Sequence, residues 1–438
     1  MRDQSCPSDQ ARRRRVVKRS SGRQLGALAG VAAAVLALVA ACGSSGDDKP
    51  AGPQASVSSS GDLLGPIARA SGAPVQIGLI SDGKSQVADN SIELTAAKAT
   101  VAYLNERKSG IGGRPIKLVT CEAQADPAKA ADCANQMIED KVVAVIIGGS
   151  PVLASIWEPL HAAHVPTLVY SGVNDAMRSD RESTFTISDG NFGGIILPLQ
   201  QAKSAGLKKV TYIVIDVPAA LDGLKTTAPA LLRKAGLDIN VVAVPPGTAD
   251  MTPQIQNLTS KDPGLVFILG NDSFCISALN GLRAVGYTGQ VAAISSCVTD
   301  ATRKAVPGSQ LKGITISATV PIGQDNPATR LYNAVAKTYG SGIDTTRAIG
   351  MTAFTEVAAF QSALQGITGD ITSQSVIKAF KGMPEREIPG SLGLGFRCNG
   401  KADPTAPSTC VRGGIVSTLD ATGNPGAYRV VGATPIED

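Results

Sequence analysis

The chain has 438 residues, of which 41 are Lys or Arg and 36 are Asp or Glu, for a formal net charge of +5. Residues 1–41 hold eight of the basic and two of the acidic side chains. Residues 42–438 therefore carry 33 basic and 34 acidic ones, a net charge of −1. With no basic excess, the body of the chain gives no basis for nucleic-acid binding.

The first 41 residues have the pattern of an export signal. A cluster of Arg and Lys precedes an apolar run over residues 25–41 that ends in small residues. Leu38-Val39-Ala40-Ala41-Cys42 resembles the bacterial lipobox, which implies that Cys42 is lipidated and becomes the mature N-terminus. We therefore predict a lipoprotein signal peptide over 1–41 and an extracytoplasmic protein anchored to the lipid bilayer of the cell membrane.

Two alternatives remain open for this leader. A transmembrane helix is the first, although the run of 17 residues is at the short limit for a span. The second concerns the export route, because Arg13-Arg14-Arg15-Val16-Val17-Lys18 resembles a twin-arginine motif. The basic segment of a general secretory signal accounts for the same arginines.

Residues 42–73 are predicted to be a flexible tether, because Gly, Ser and Pro are frequent there. About 365 residues follow from Pro74, which is enough for two domains.

Six cysteines remain besides Cys6, which leaves with the signal, and Cys42. An even number in an exported chain suggests disulfides. Among the fifteen possible connectivities, proximity favours three local pairs: Cys121–Cys133, Cys275–Cys297 and Cys398–Cys410. Zinc is the alternative, but no Cys-x-x-Cys spacing occurs, so no metal site is predicted.

Short apolar runs alternate with helical periods in two successive series. The first predicts strands over 75–80, 116–120, 142–147 and 166–169 and helices over 91–107, 127–139 and 154–163. The second predicts strands over 210–215, 241–244, 265–269 and 291–295 and helices over 221–235, 252–260 and 277–285. Further helices are predicted over 327–339, 347–364 and 373–381. This alternation indicates an α/β protein with two parallel sheets, each covered by helices on both faces.

Five segments together resemble the type I periplasmic binding proteins, specifically the leucine/isoleucine/valine-binding branch of ABC-transporter substrate-binding proteins. They are VQIGLISDG (75–83), GIGGRPIKLV (110–119), ADPAKAADCANQMIEDKVVAVIIGG (125–149), VPTLVYSGVND (165–175) and GLRAVGYTGQ (281–290). The resemblance runs from about Val75 to about Gly414, and it depends on the order and spacing of the segments.

The resemblance implies two doubly wound, Rossmann-like lobes joined by three crossovers, with ligand in the cleft between them. The crossovers are expected near Asp189, near 318–321 and within 388–413. The predicted N-terminal lobe is 74–189 plus 321–388, and the predicted C-terminal lobe is 190–320 plus 389–438.

The resemblance also implies ligand-binding residues on two loops of the first lobe. In the family these loops hold a ligand carboxylate through backbone N–H groups and hydroxyls. The candidates here are Ser150, Val152, Ser171, Gly172 and Asn174. The alternative is that Ser, Gly and Asn are present because they suit turns.

On the second lobe, amino-acid binders of the family use aromatic side chains, and a carboxylate that holds the ligand's ammonium. These positions fall here at Ala220, at Asn271 or Asp272, and near Ser295 or Ser296. The ordinary ammonium site is thus missing, and Asp272 or Asp216 is the candidate substitute unless each is a solvated or capping residue. The expected ligand is an amino acid or a related carboxylate or amide.

Catalytic motifs are missing from the sequence. It has no Gly-x-Ser-x-Gly elbow and no phosphate-binding Gly-Lys loop, and its two histidines, His161 and His164, are predicted to pack on a helix, as is Trp157. We predict no enzyme activity and no cofactor. The predicted function is a monomeric solute-binding lipoprotein that closes around a small-molecule solute and delivers it to an ABC permease. The alternatives are a sensory receptor of the same fold that signals to a membrane partner, and an extracytoplasmic enzyme.

Overall fold

The computed structural model of this protein describes residues 63–85, 89–171, 174–323 and 325–438. The predicted signal peptide, the lipidation site Cys42 and most of the predicted tether lie outside the described residues. The described end of that tether is packed on the folded body, which corrects the prediction: Leu64 is buried, and the N–H groups of Ala68 and Ala70 donate to backbone carbonyls of the helix over 92–107. None of the helices in the described ranges combines the length and the hydropathy that crossing a membrane requires.

The secondary structure alternates between strands and helices over most of the chain. The strands are β1 Val75–Ser81, β2 Ile116–Glu122, β3 Val145–Ile147, β4 Thr167–Val169, β5 Thr184–Thr186, β6 Lys209–Ile215, β7 Asp238–Val244, β8 Leu265–Leu269, β9 Val291–Ile294, β10 Thr315–Ala318, β11 Arg386–Glu387, β12 Gly395–Phe396, β13 Gly414–Thr418 and β14 Arg429–Val431. The helices are α1 Ile92–Arg107, α2 Pro127–Glu139, α3 Leu153–Ala162, α4 Asp175–Ser179, α5 Leu197–Ser204, α6 Pro218–Thr226, α7 Ala228–Lys234, α8 Thr252–Thr259, α9 Asp272–Ala284, α10 Asp300–Ala305, α11 Gly308–Leu311, α12 Pro327–Tyr339, α13 Ala348–Ala363 and α14 Ser373–Gly382. A π-helical turn, Phe192–Ile196, precedes α5, and a 3₁₀ turn, Ser295–Cys297, follows β9.

Five parallel strands form the sheet of the first lobe, in the order β2-β1-β3-β4-β5. Strand β3 is buried on both faces, as expected for a parallel strand between two helical layers. One layer contains α1, α12, α13 and α14, and the other contains α2 and α3. Since all five strands are parallel, their carboxyl ends lie along one edge of the sheet.

The second lobe is built on a seven-stranded sheet with the order β14-β13-β10-β9-β8-β6-β7. Strands β6 to β10 are parallel, whereas β13 pairs with β10, and β14 with β13, in the antiparallel sense. Hydrophobic clusters cover both faces of this sheet. The α/β class with two parallel-dominated lobes is confirmed.

Three segments connect the two sheets: the chain after β5, the chain after β10, and the chain before β13. The third segment packs on the first sheet before it crosses, because Thr409 forms a bridge with Thr186 of β5 and β12 pairs with β11. The predicted lobe boundary after residue 388 assigned these residues to the second lobe, whereas the contacts place the crossing close to Gly413. We propose that the first lobe extends to about residue 412.

Among the described residues there are three disulfides, and they are the pairs favoured by proximity: Cys121–Cys133, Cys275–Cys297 and Cys398–Cys410. The first joins β2 to α2, and the second joins α9 to the 3₁₀ turn after β9. The third closes the segment that pairs with β5.

One predicted helix is divided in the structure. The pattern predicts a continuous helix over 221–235, but the chain forms α6 and α7 there instead. The physical reason is Pro229 in the first turn of α7, since proline lacks the N–H that a helix interior requires. By contrast, α2 has the predicted bounds, because Pro127 is its first residue and the side chain of Asp126 accepts the N–H groups of Ala128 and Lys129.

Candidate functional site

A cavity of about 830 Å³ lies between the two lobes. Its first wall is the start of α4, with Asn174, Asp175 and Arg178, and its base is the first crossover. Its second wall follows the carboxyl ends of β6 and β8 and includes Asp216, Ala220, Leu221, Asp222, Lys225 and Leu269. A cleft at the carboxyl ends of parallel strands, with this volume and with polar groups on both walls, suits a small-molecule ligand.

The first crossover at the base of this cleft is held by Asp189. Its carboxylate accepts the backbone N–H of Asn191 at 3.0 Å and that of Gly413 at 3.1 Å. Burial raises the pKa of Asp189. The side chain of Asn191 donates to Asp403 at 3.3 Å, so the first and third connections are joined at two points.

A second cavity of about 240 Å³ lies at the carboxyl ends of β3 and β4 in the first lobe. The loops after these strands supply Gly148, Gly149, Tyr170 and Ser171, and the second crossover supplies Thr319. Helices α1 and α13 close the other side with Glu93, Ala348, Ile349, Thr352 and Glu356. Gly149 and Ser171 are exposed, so the cavity meets solvent beside the loop that also carries Asn174.

Two carboxyl groups line this second cavity, and each residue is only 1 % exposed. Glu93 accepts the hydroxyl of Ser81 and the backbone N–H of Gly149, the latter at 2.9 Å. Burial raises the pKa of Glu93 to about 7, although both hydrogen bonds oppose the rise. Burial, and then the charge of Glu93, raise the pKa of Glu356 well above its ordinary value.

Of the first-lobe candidates from the sequence, Ser171 and Asn174 line these cavities, whereas Ser150 and Val152 are not among the described residues that line them. Ser150 donates its hydroxyl to Asp82, a buried carboxylate after β1, at 2.7 Å, and it accepts the backbone N–H of Val152 at 3.2 Å. Ser171 lines the small cavity. Asn174 lines the cleft and also caps α4, because its side chain accepts the N–H of Met177. Gly172 lies outside the described residues.

On the second lobe, Ala220 lines the cleft. Asn271 caps α9 by accepting the N–H of Phe274, and Asp272 accepts the hydroxyl of Thr299 at 3.2 Å. Asn271, Asp272 and Ser295 are not among the described residues that line the two cavities. Asp216, the other carboxylate considered as a substitute, does line the cleft. The ligand roles of all these residues stay predictions.

Sequence reasoning did not identify Glu93 and Glu356. A signal was present in the segment Ala353-Phe354-Thr355-Glu356-Val357-Ala358-Ala359-Phe360, where a single acid lies within a helix that is otherwise almost wholly apolar. A carboxyl group in such a position is seldom buried without a partner.

The histidine and tryptophan side chains belong to the packing of α3. The indole N–H of Trp157 donates to Thr184 at 2.8 Å, and His161 stacks on the indole ring at 4.4 Å between centroids. Within the described ranges, no group of three or more His, Cys, Asp or Glu side chains is arranged to hold a metal ion.

Comparison with known proteins agrees with the two-lobed α/β fold. A family model described as periplasmic binding protein matches residues 74–413. A comparison with curated proteins returned no match.

Solved structures share the fold at low sequence identity. A putative branched-chain amino acid ABC transporter protein from Rhodospirillum rubrum has a TM-score of 0.67 at 16 % identity, over 82 % of this chain and 100 % of that one. The substrate-binding protein LivJ from Streptococcus pneumoniae, in complex with isoleucine, has a TM-score of 0.60 at 17 % identity, over 82 % and 99 %. A solute-binding protein of an ABC transporter from R. palustris, in complex with 4-hydroxybenzoate, has a TM-score of 0.64 at 18 % identity, over 83 % and 98 %. With the family model matching most of its length, this chain belongs to the periplasmic binding protein family.

Proposed function

We propose that this protein is the solute-binding component of an ABC importer and that it captures a small polar solute in the cleft between its lobes. The observation that carries the proposal is the 830 Å³ cavity, whose two walls come from different lobes. A ligand that contacts both walls stabilises the closed arrangement over the open one, which is the basis of capture by hinge closure.

The proposed ligand is an amino acid or a related carboxylate or amide. Two of the solved relatives contain isoleucine and 4-hydroxybenzoate, and both molecules are small and carry a carboxylate. The walls here fit a polar solute, because Asn174, Arg178, Asp216 and Lys225 offer donors and acceptors around the apolar surface of Ala220.

The proposed location is the outer face of the cell membrane, where acyl chains on Cys42 would hold the protein close to the permease. Each buried methylene contributes about 0.8 kcal/mol to membrane binding, so more than one chain is needed for stable attachment. Because the chain from Leu64 onward packs on the first lobe, we propose a shorter tether, over about residues 42–62, which would leave the folded body free to dock on the permease.

The experiment is native mass spectrometry and titration calorimetry of the soluble body, residues 51–438, with amino acids and small carboxylates. We expect a solute that either copurifies or binds with one-to-one stoichiometry. Ala220→Trp should abolish its binding by filling the cleft, while Ala301→Trp, which places the same side chain on an exposed turn of α10, should not. A folded protein that binds no solute, or binding that Ala220→Trp leaves unchanged, would contradict the proposal.

A further inference from the structure

The small cavity of the first lobe is lined by carboxyl groups that have no counter-ion in the part of the chain that the structure describes. None of the ion pairs formed among the described residues includes Glu93, Glu356 or the neighbouring Asp82. Each of the three residues is 1 % exposed. Burying a carboxyl group away from water is costly unless a partner compensates for the loss of hydration.

One carboxyl oxygen of Glu356 accepts no hydrogen bond from the described residues. Its carboxyl group accepts the backbone N–H of Tyr170, but its Oε2 atom has no hydrogen-bond partner among the described residues. The Tyr170 hydroxyl is not available to it, because it donates to the carbonyl of Thr319. A fully buried acceptor that lines a cavity and has no donor indicates that a donor arrives from outside the chain.

Two of the donors that could hold an anionic ligand near this cavity are already used. The N–H of Gly149 donates to Glu93, and the hydroxyl of Ser150 donates to Asp82. Both donors therefore point to carboxylates of the protein itself. When these acids are ionised, a ligand carboxylate in this cavity would face groups of like charge, whereas a ligand cation would be attracted to them.

We infer that this cavity is a subsite for a protonated amine of the solute, held by the carboxyl groups of Glu93 and Glu356. The inference rests on the proposed function and specifies its ligand class. The volume of 240 Å³ is the space of about eight water molecules, which suits an aminoalkyl end of a solute but not a large ligand. The ammonium group offers three donors, enough for Oε2 of Glu356 and a second oxygen.

Binding of an amine should depend on pH in a defined direction. The groups that face the two acids are Asp82 and Tyr170, while the guanidinium of Arg347 donates to the backbone carbonyl of Asp89. Because burial raises the pKa of Glu93 to about 7 and that of Glu356 well above its ordinary value, the empty site holds protons near neutral pH. An ammonium requires the carboxylates to be ionised, so its binding releases protons and its affinity rises from pH 6 to pH 8.

The test is calorimetry of the 51–438 body with matched probes at pH 6 and pH 8: leucine against 4-methylpentanoate, γ-aminobutyrate against butyrate, and putrescine. We expect at least one amine to bind while its counterpart without the amine is silent. We also expect Glu356→Gln and Glu93→Gln each to lower the affinity for the amine by about tenfold to a hundredfold at pH 8. Glu158→Gln, an exposed acid on α3 of the same lobe, is the matched control and should leave the affinity unchanged.

The outcomes separate this inference from the proposed function. Any of three results would overturn the amine subsite. The first is a carboxylate probe that binds as tightly as its amine-bearing counterpart, the second is an amine affinity that falls as pH rises, and the third is glutamine variants that bind the amine like the wild type. If solute binding in any of these cases is still abolished by Ala220→Trp, the proposed function stands without the subsite. A folded wild-type protein that binds none of these probes and carries no copurified solute would overturn both.

Discussion

The Oδ2 atom of Asp189 accepts the backbone N–H of Gly413 at 3.1 Å, which joins the first crossover between the lobes to the third. Gly413 has a φ of 84°, and a Cβ there would lie 2.5 Å from the nitrogen of Ala433 and the oxygen of Val431. Only glycine fits this position, so the N–H that Asp189 accepts is fixed in place by the backbone.

Asp189→Asn should weaken this connection. The amide keeps one acceptor but presents an N–H₂ group to one of the two backbone N–H groups, and a buried donor left without an acceptor costs about 1–3 kcal/mol. Urea denaturation should show a lower free energy of unfolding, while Asp238→Asn on the exposed start of β7 should not change it. An unchanged midpoint for Asp189→Asn would show that the hydrogen bond makes no net contribution.

Two disulfides of equal sequence separation allow a matched comparison. Cys121–Cys133 and Cys398–Cys410 both span 12 residues, so loss of either by double substitution to Ser should cost a similar amount, about 3 kcal/mol. Only the second closes the segment that pairs with β5 and leads to the third crossover. We expect solute affinity to fall in the Cys398→Ser/Cys410→Ser variant and to persist in the Cys121→Ser/Cys133→Ser variant. Equal affinities would show that the third crossover does not depend on its disulfide.

Asp180 should contribute to stability above acidic pH. Burial alone would raise its pKa, but hydrogen bonds from Thr184, Glu182 and Ser183, followed by the nearby His161, hold the pKa below its ordinary value. A carboxyl whose pKa is lower in the folded protein stabilises the fold above its unfolded pKa, and this stability is lost as pH falls through the folded pKa.

Asp180→Asn should therefore lower the free energy of unfolding by about 1–3 kcal/mol at pH 7, and the difference from wild type should shrink as pH falls below 4. Trp157 is the only tryptophan of the chain and donates to Thr184 in the same network, so its fluorescence reports the unfolding of this region. A pH-independent difference would argue against an ionised Asp180.

Glu93 should have the opposite pH dependence. Its pKa rises from an ordinary 4.5 to about 7, so the folded protein binds more protons than the unfolded chain between these values. Its contribution to stability is complete below pH 4.5 and is lost as pH rises through 7. A rise of this size corresponds to about 3 kcal/mol.

Glu93→Gln removes this titration, so in the absence of solute the variant should gain stability relative to wild type as pH rises from 4 to 8. Thermal unfolding across this range measures the difference, with Glu158→Gln as the control. A constant difference across the range would mean that Glu93 titrates at its ordinary pKa.

Cys42→Ser should release the protein from the membrane. Because Cys42 is the only predicted acceptor of acyl chains, the variant should move from the membrane fraction to the soluble extracytoplasmic fraction of a bacterial host. Mass spectrometry of the wild-type N-terminal peptide should show the acyl groups. A variant that stays in the membrane fraction would favour the transmembrane alternative.

Local chemistry made much of the secondary structure predictable. The predicted bounds of α2, α12 and β8 match the structure, because Asp126-Pro127 and Asn326-Pro327 cap their helices and β8 is a short apolar run. The π-helical turn and α5 were not predicted, since Gly193, Gly194 and Pro198 disfavour a helix in isolation. That segment is helical because Phe192, Ile195 and Leu197 are buried against the second lobe.

The sequence by itself determined the two series of β-α alternation, the leader pattern and the local cysteine pairs, because each depends on residues that are close in the chain. Only the tertiary structure brought Glu93 of α1, Tyr170 after β4 and Glu356 of α13 to one cavity, since these residues are far apart in the sequence. Their hydrogen bonds and pKa values depend on burial and on neighbours from distant segments. A local pattern marks Glu356 as an acid within an apolar helix, but only the packing decides which groups it meets and so sets the chemical character of the site.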